Sequence, residues 1–185
     1  MKIRRILDTF AFLVVLAACG AGAQQASNNL VISSDPELVE LASALLPDLA
    51  EHSGLELRGP VRLETRSRQQ LIDYLEIKLE EELPADEAKA RVDAYSLLGL
   101  VPVDLDLRAA LMSLYTEQVA GFYDPDSTAL FVMDDQPEEV LEGLLVHELI
   151  HAIQDQHTDL DSITDQKLGN DRVIAAQAAI EGQAT

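Results

Sequence analysis

Tryptophan is absent from this chain, and phenylalanine and tyrosine bring the aromatic share to only 4%. Large rings therefore cannot dominate the interior, and a core has to be assembled from Leu, Val, Ile and Ala. Cysteine occurs once, at Cys19, so no intrachain disulfide can staple the fold. Basic residues are scarce too: 13 Lys and Arg stand against 33 Asp and Glu, a net charge of -20. A surface of that sign repels phosphate backbones, which excludes nucleic acid as a partner. The acids are spread along the chain rather than blocked, as on a solvated surface. No internal repeat is evident. What the chain does have is a hydrophobic fraction of 48% over 185 residues. That suffices for one packed domain with a small appendage and is too much for a disordered polymer.

The start of the chain reads as an address. Lys2, Arg4 and Arg5 precede an apolar run from Phe10 to Leu16, too short to span a bilayer comfortably and flanked as an export signal is. The run ends in Leu16-Ala17-Ala18-Cys19, which resembles the lipobox of bacterial lipoproteins. That resemblance implies that residues 1–18 are removed and that Cys19 receives lipid. Residues 19–34 are then a flexible tether of small and polar residues. The expected location is exported and lipid-anchored to a bacterial membrane, on its periplasmic or cell-surface side, with the lipid as the only membrane contact. An acidic body on such a tether stands off anionic lipid. The other reading is an ordinary secretory signal with an incidental cysteine.

Further along, Asp35-Pro36 reads as an N-cap followed by proline at the first helical position, with Leu38, Leu41, Leu45 and Leu49 at helical spacing. Pro47 predicts an end or kink near 44–46. Residues 55–66 alternate apolar and polar side chains around Gly59-Pro60, a strand or bent hairpin. Ser67 caps a predicted helix over 68–83; a second follows from 84 to about 98 and stops at Gly99; Asp106 caps a third, from 107 to about 117. Between 119 and 133 two β-prone runs flank Asp124-Pro125-Asp126-Ser127, the pattern of a β-hairpin. A long helix is expected from 138 to about 157, and Asp171 caps a last one from 172 to about 181. The fold class is thus α+β, with helices packed on one side of a small twisted sheet. Residues 35–114 form a mainly helical region and 115–185 a core.

The chemistry sits in His147-Glu148-Leu149-Ile150-His151. Helical residues advance about 100° each, so imidazoles four apart point the same way, about 40° apart and one turn up. Both can reach one tetrahedral Zn2+ at about 2.0–2.1 Å. Glu148 lies beside such a metal, placed to take a proton from a water on the ion and return it to a leaving amine. The flanks are apolar (Leu144, Leu145, Val146, Ile153), and histidines buried in an apolar run need a reason, for which a metal serves. Three of the four histidines fall between 147 and 157.

A third protein ligand is required, and two candidates are available. His157 completes H-E-x-x-H-x-x-Q-x-x-H, the spacing of the metzincin class, except that Gln154 stands where that class has the glycine that lets the helix break. With Gln154 the helix should continue, and His157 then faces away. Glu181, thirty residues after His151 on the following helix, is the other and the favoured one. Asp155 can contribute to the surroundings of His151, though a solvated acid is the plainer reading. Tyr123 can stabilise an oxyanion, against the plainer reading of a core or edge tyrosine.

HELIHAIQDQH, preceded by AGFYDPDSTALFV and followed by EGQAT, resembles a group of bacterial lipoproteins with a gluzincin-like, HExxH…E zinc metallopeptidase core and an EGxAT third-ligand motif. The similarity covers roughly residues 115–185. It implies a zincin-like fold, His147, His151 and Glu181 as ligands of Zn2+, and Glu148 as general acid/base. The hairpin strand Leu130, Phe131, Val132 looks like the edge on which zincins lay an extended peptide substrate. An acid stands in many relatives where this chain has Gln183, which counts against a supporting role there. Gluzincins usually carry a further helical lobe after the third ligand, so a truncated C-terminus is expected.

The function that follows is zinc-dependent hydrolysis of peptide bonds in a peptide or protein substrate. The alternatives are a zinc-containing, non-catalytic envelope binding or scaffold module, and a tethered structural protein without metal. Intact Glu148 argues against the former, since a structural site has no need of a base.

Overall fold

The computed structural model describes residues 30–185. Cys19, the signal segment 1–18 and most of the 19–34 tether lie outside the described residues. The chain runs β1 (Val31–Ile32), α1 (Pro36–Ser53), β2 (Val61–Arg66), α2 (Arg68–Glu82), α3 (Ala85–Leu97), α4 (Leu107–Gln118), β3 (Gly121–Asp124), β4 (Ala129–Met133), α5 (Glu138–Asp155), α6 (Leu160–Thr164), a 3-10 turn (Gln166–Leu168) and α7 (Asn170–Ala184). It is an α+β fold with a small mixed sheet of strand order β1-β2-β4-β3.

Three expectations need correction. The end of the tether is ordered: Val31 and Ile32 pair in parallel with Val61 and Arg62. Pro47 neither ends nor splits α1, which runs on to Ser53 with Leu38, Ala42 and Leu46 buried along one face. That buried stripe offsets the single backbone hydrogen bond a proline removes. Finally, Leu130, Phe131 and Val132 do not form a sheet edge. Strand β4 lies between β2 and β3, and all five of its residues are buried. An unbroken apolar run is the signature of a strand covered on both faces, not of an edge. The edges are β1 and β3.

By packing, the chain falls into two units whose borders interleave in sequence, rather than dividing at 114/115. Among the described residues, one holds 30–64 with 123–130 and 145–185; the other holds 65–122 and 131–144. In the first, α1 starts on Asp35, whose carboxylate accepts the Glu37 and Leu38 amides at 3.0 and 3.4 Å, and stops at Gly54, where φ is +70°. Leu46, Leu145, Leu149 and Ile153 are fully buried there. Each contributes roughly 1.5–3 kcal/mol of apolar burial.

In the second unit, Ser67 and Gln70 form a reciprocal capping box at the start of α2. Leu79, Leu83 and Ala88 pack with Leu107, Leu111 and Met112. Phe122 lies 5.0 Å from Tyr74 and 5.2 Å from Phe131, ring centre to ring centre. Arg68 binds both carboxylate oxygens of Asp135, at 2.7 and 2.9 Å, and the carbonyls of Thr116 and Val119. Gly121 is demanded by space: a Cβ there would stand 2.7 Å from the Phe131 carbonyl oxygen and 3.0 Å from Leu144.

Candidate metal centre

Every residue of the candidate centre belongs to the first unit. Helix α5 presents His147 and His151 from successive turns, and residues 148–154 are buried without interruption. A helix enclosed all round over two turns holds its side chains in fixed rotamers. The third group arrives on α7: Glu181 Oε2 lies 3.3 Å from His147 Nε2 and 3.6 Å from His151 Nε2, and the two Nε2 atoms are 3.1 Å apart.

The tautomers of both rings follow from their other nitrogens. His147 Nδ1 is 3.2 Å from the Ala184 carbonyl, which can only accept, so Nδ1 carries the proton and Nε2 a bare lone pair. His151 Nδ1 is 2.9 Å from Gln154 Oε1. The amide of Gln154 is oriented by its own nitrogen, which donates to the Ile180 carbonyl at 2.9 Å and to Gln183 Oε1 at 3.0 Å. Its oxygen therefore faces His151, and His151 Nε2 also presents a lone pair. In the neutral rings two imidazole lone pairs thus converge on a carboxylate oxygen, an arrangement whose mutual repulsion needs a positive charge to relieve it.

A divalent cation held among the three would relieve it. Donors about 2.0–2.2 Å from a tetrahedral centre lie about 3.3–3.6 Å from one another. The three observed separations, 3.1 to 3.6 Å, bracket that range. The donor set of His147, His151 and Glu181 fits a metal. Exposure is graded across it: the side chain of His151 is 10% exposed, that of His147 34% and that of Glu181 60%. One side of the triad faces solvent, open to a water or a substrate group.

Glu148 is buried beside the triad. The backbone amide of Tyr123, on edge strand β3, donates to its Oε2 at 2.9 Å. Burial raises its carboxyl above the usual glutamate value, against the opposing pull of the His151 and His147 rings and the Tyr123 amide.

His157 takes no part. Helix α5 ends at Asp155, and His157 Nε2 lies 2.7 Å from the Glu56 carbonyl. The helix carries straight through Gln154, so nothing swings His157 back to the triad. Tyr123 turns its phenol to Asp155, at 2.8 Å, and burial with that carboxylate drives the phenol well above its ordinary value. Asp155 is thus half-buried against Tyr123 and the Leu160 amide, not solvated and not bonded to His151.

The largest omission of sequence reasoning is Gln154, noticed only as the residue that replaces a glycine. It joins His151 to the helix that carries Glu181. Gln183, where the departure from an acid counts against a supporting role, in fact accepts from Gln154 and donates to the Ser53 carbonyl at 3.0 Å. An ionised acid there could not make the second bond. The signal available was position: Gln154 is one turn beyond His151, at the end of an apolar stretch.

No protein-family model, curated protein or solved structure matches the chain.

Proposed function

We propose that this chain is a zinc-dependent hydrolase of peptide bonds with a zincin-like core, carried on a lipid-anchored exported protein. The observation that supports the reading best is the convergence of His147 Nε2, His151 Nε2 and Glu181 Oε2 beside a buried carboxylate. A zinc ion held by these three donors supplies Lewis acidity, which polarises a substrate carbonyl and makes water nucleophilic near neutral pH.

The remaining work falls to the chain itself. The Tyr123 amide fixes one oxygen of Glu148 and so aims the other. As the oxygen of the attacking water bonds to the carbonyl carbon, Glu148 takes the water's proton. As the C–N bond breaks, it returns that proton to the leaving amine. Burial supports this exchange by holding the carboxyl's proton affinity above that of a solvated glutamate. The open side by Glu181 admits the substrate.

The alternative, a zinc-containing envelope binding or scaffold module that does not cleave, leaves a buried glutamate beside the triad without a role. The test is hydrolysis of a quenched peptide library by the full chain loaded with zinc. Cleavage should disappear with a chelator, return with zinc, and be lost in Glu148→Gln while zinc stays bound. Stoichiometric zinc without cleavage of any peptide would favour the scaffold. Less than about a tenth of an equivalent of any divalent ion would dismiss the metal.

A further inference from the structure

Between α3 and α4 the chain makes a tip of unusual character. From Ala94 to Val103 ten residues pass without a charge, bracketed by Asp93 and Asp104. Leu97 is 88% exposed, Val103 80%, Leu98 72% and Leu100 68%, with Tyr95 half exposed at its base. Side chains this bare have solvent on nearly every side. A flat protein partner covers one side of such a tip, whereas a fluid apolar medium surrounds it.

The backbone of the tip is also suited to a medium without water. Leu98 and Leu100 donate to the Tyr95 carbonyl at 3.1 and 3.0 Å, and Gly99 donates to the Ser96 carbonyl at 3.0 Å. Pro102 has no N–H to satisfy. Unpaired backbone groups are what normally keep loops out of lipid, and this stretch has disposed of most of its donors. Among the described residues no helix is long and apolar enough to cross a membrane, so any contact has to be a dip rather than a span.

We propose that the α3–α4 tip inserts into the interfacial layer of a zwitterionic phospholipid bilayer, as a second membrane contact besides the lipid expected on Cys19. The acids at its rim, Asp93, Asp104 and Asp106, and a net charge of -20 select against anionic lipid. The proposal rests on the lipoprotein reading for proximity. Leu30 is eleven steps along the chain from Cys19, and at about 3.3–3.6 Å a step the start of the described chain is held within about 40 Å of the lipid.

Because the chain has no tryptophan, a single reporter is clean. The full chain carrying Leu98→Trp is seated on phosphatidylcholine–phosphatidylethanolamine vesicles with brominated acyl chains. Its emission should shift to the blue and be lost to bromine. Ile174→Trp, exposed on α7, should stay unshifted and unquenched. A water-like, unquenched Leu98→Trp on vesicle-bound protein overturns the proposal. So does a blue shift that needs no vesicles and accompanies a dimer in sedimentation, since a second copy then covers the tip. Mass spectrometry of the mature N-terminus separates the two readings: missing lipid removes the anchor, while quenching on added vesicles still decides the tip.

Discussion

Gln154 accepts the Nδ1 proton of His151 at 2.9 Å, with its amide turned the one way that allows it. A ligand's outer partner fixes its tautomer and raises its basicity, and losing one typically weakens metal binding about 10–100-fold. Gln154→Leu is therefore expected to lower zinc affinity by about that factor in competition with a chromophoric chelator, with the helix content unchanged. Gln154→Glu keeps the acceptor for His151 and should lie closer to the parent. Equal affinities for the parent and Gln154→Leu would reduce Gln154 to packing.

Glu148→Gln separates catalysis from binding. It is expected to cut peptide hydrolysis by about 10²–10⁴ while leaving zinc content intact, since Glu148 is no ligand. The same change should stabilise the metal-free chain. The folded carboxyl keeps its proton at pH values where the unfolded one, ionising near about 4.3, has lost it, so stability falls as pH rises through that interval. Thermal melts of metal-free protein should show Glu148→Gln ahead by about 0.5–2 kcal/mol at pH 8 and level with the parent below about pH 4.

Arg68 and Asp135 set a small acid-sensitive increment. The Arg68 hydrogen bonds hold the Asp135 carboxyl below its ordinary value. A depressed carboxyl adds stability above the unfolded value, about 3.9, and loses it as pH falls through the folded one. With both side chains partly in water, Asp135→Asn should cost under about 1 kcal/mol at pH 7. In urea titrations below about pH 3 that difference should fade.

Gly121→Ala places a methyl group 2.7 Å from the Phe131 carbonyl oxygen. The Leu144 side chain on one side can shift, but the Phe131 backbone on the other cannot yield cheaply, so a loss of about 1–3 kcal/mol is expected, read as a lower urea midpoint. An unchanged midpoint would mean that β3 and β4 separate more easily than their spacing suggests.

Much of this was legible in the sequence because it depends on local signals. Asp35, Ser67 and Asp106 announce helix starts through short side chains that satisfy free amides, and all three act as caps. The HExxH spacing states its own geometry, and Glu181 lies where the resemblance placed it. Strand order was not legible, because the pairing of β2 with β4 joins segments more than sixty residues apart that carry no local mark. The apolar run Ala129–Met133 did carry one, an interior strand's pattern, outweighed by the analogy to a substrate edge. Gln154 escaped notice because an amide declares its partners only once the fold brings Ile180 and Gln183 to it.

Helix α7 brings one more consequence. Of its fifteen residues only Val173 and Ala184 are buried, yet it delivers Glu181. An ion gripped by His151 and Glu181 closes a ring of thirty residues, worth about 3 kcal/mol in chain entropy by length alone. On the proposed reading a bound cation would be a clasp as much as a reagent. Stripped of it, the segment from residue 158 onward should loosen first and become the preferred target of proteases. On the proposed zinc reading, metal-stripped protein would be lost to proteolysis instead of persisting idle.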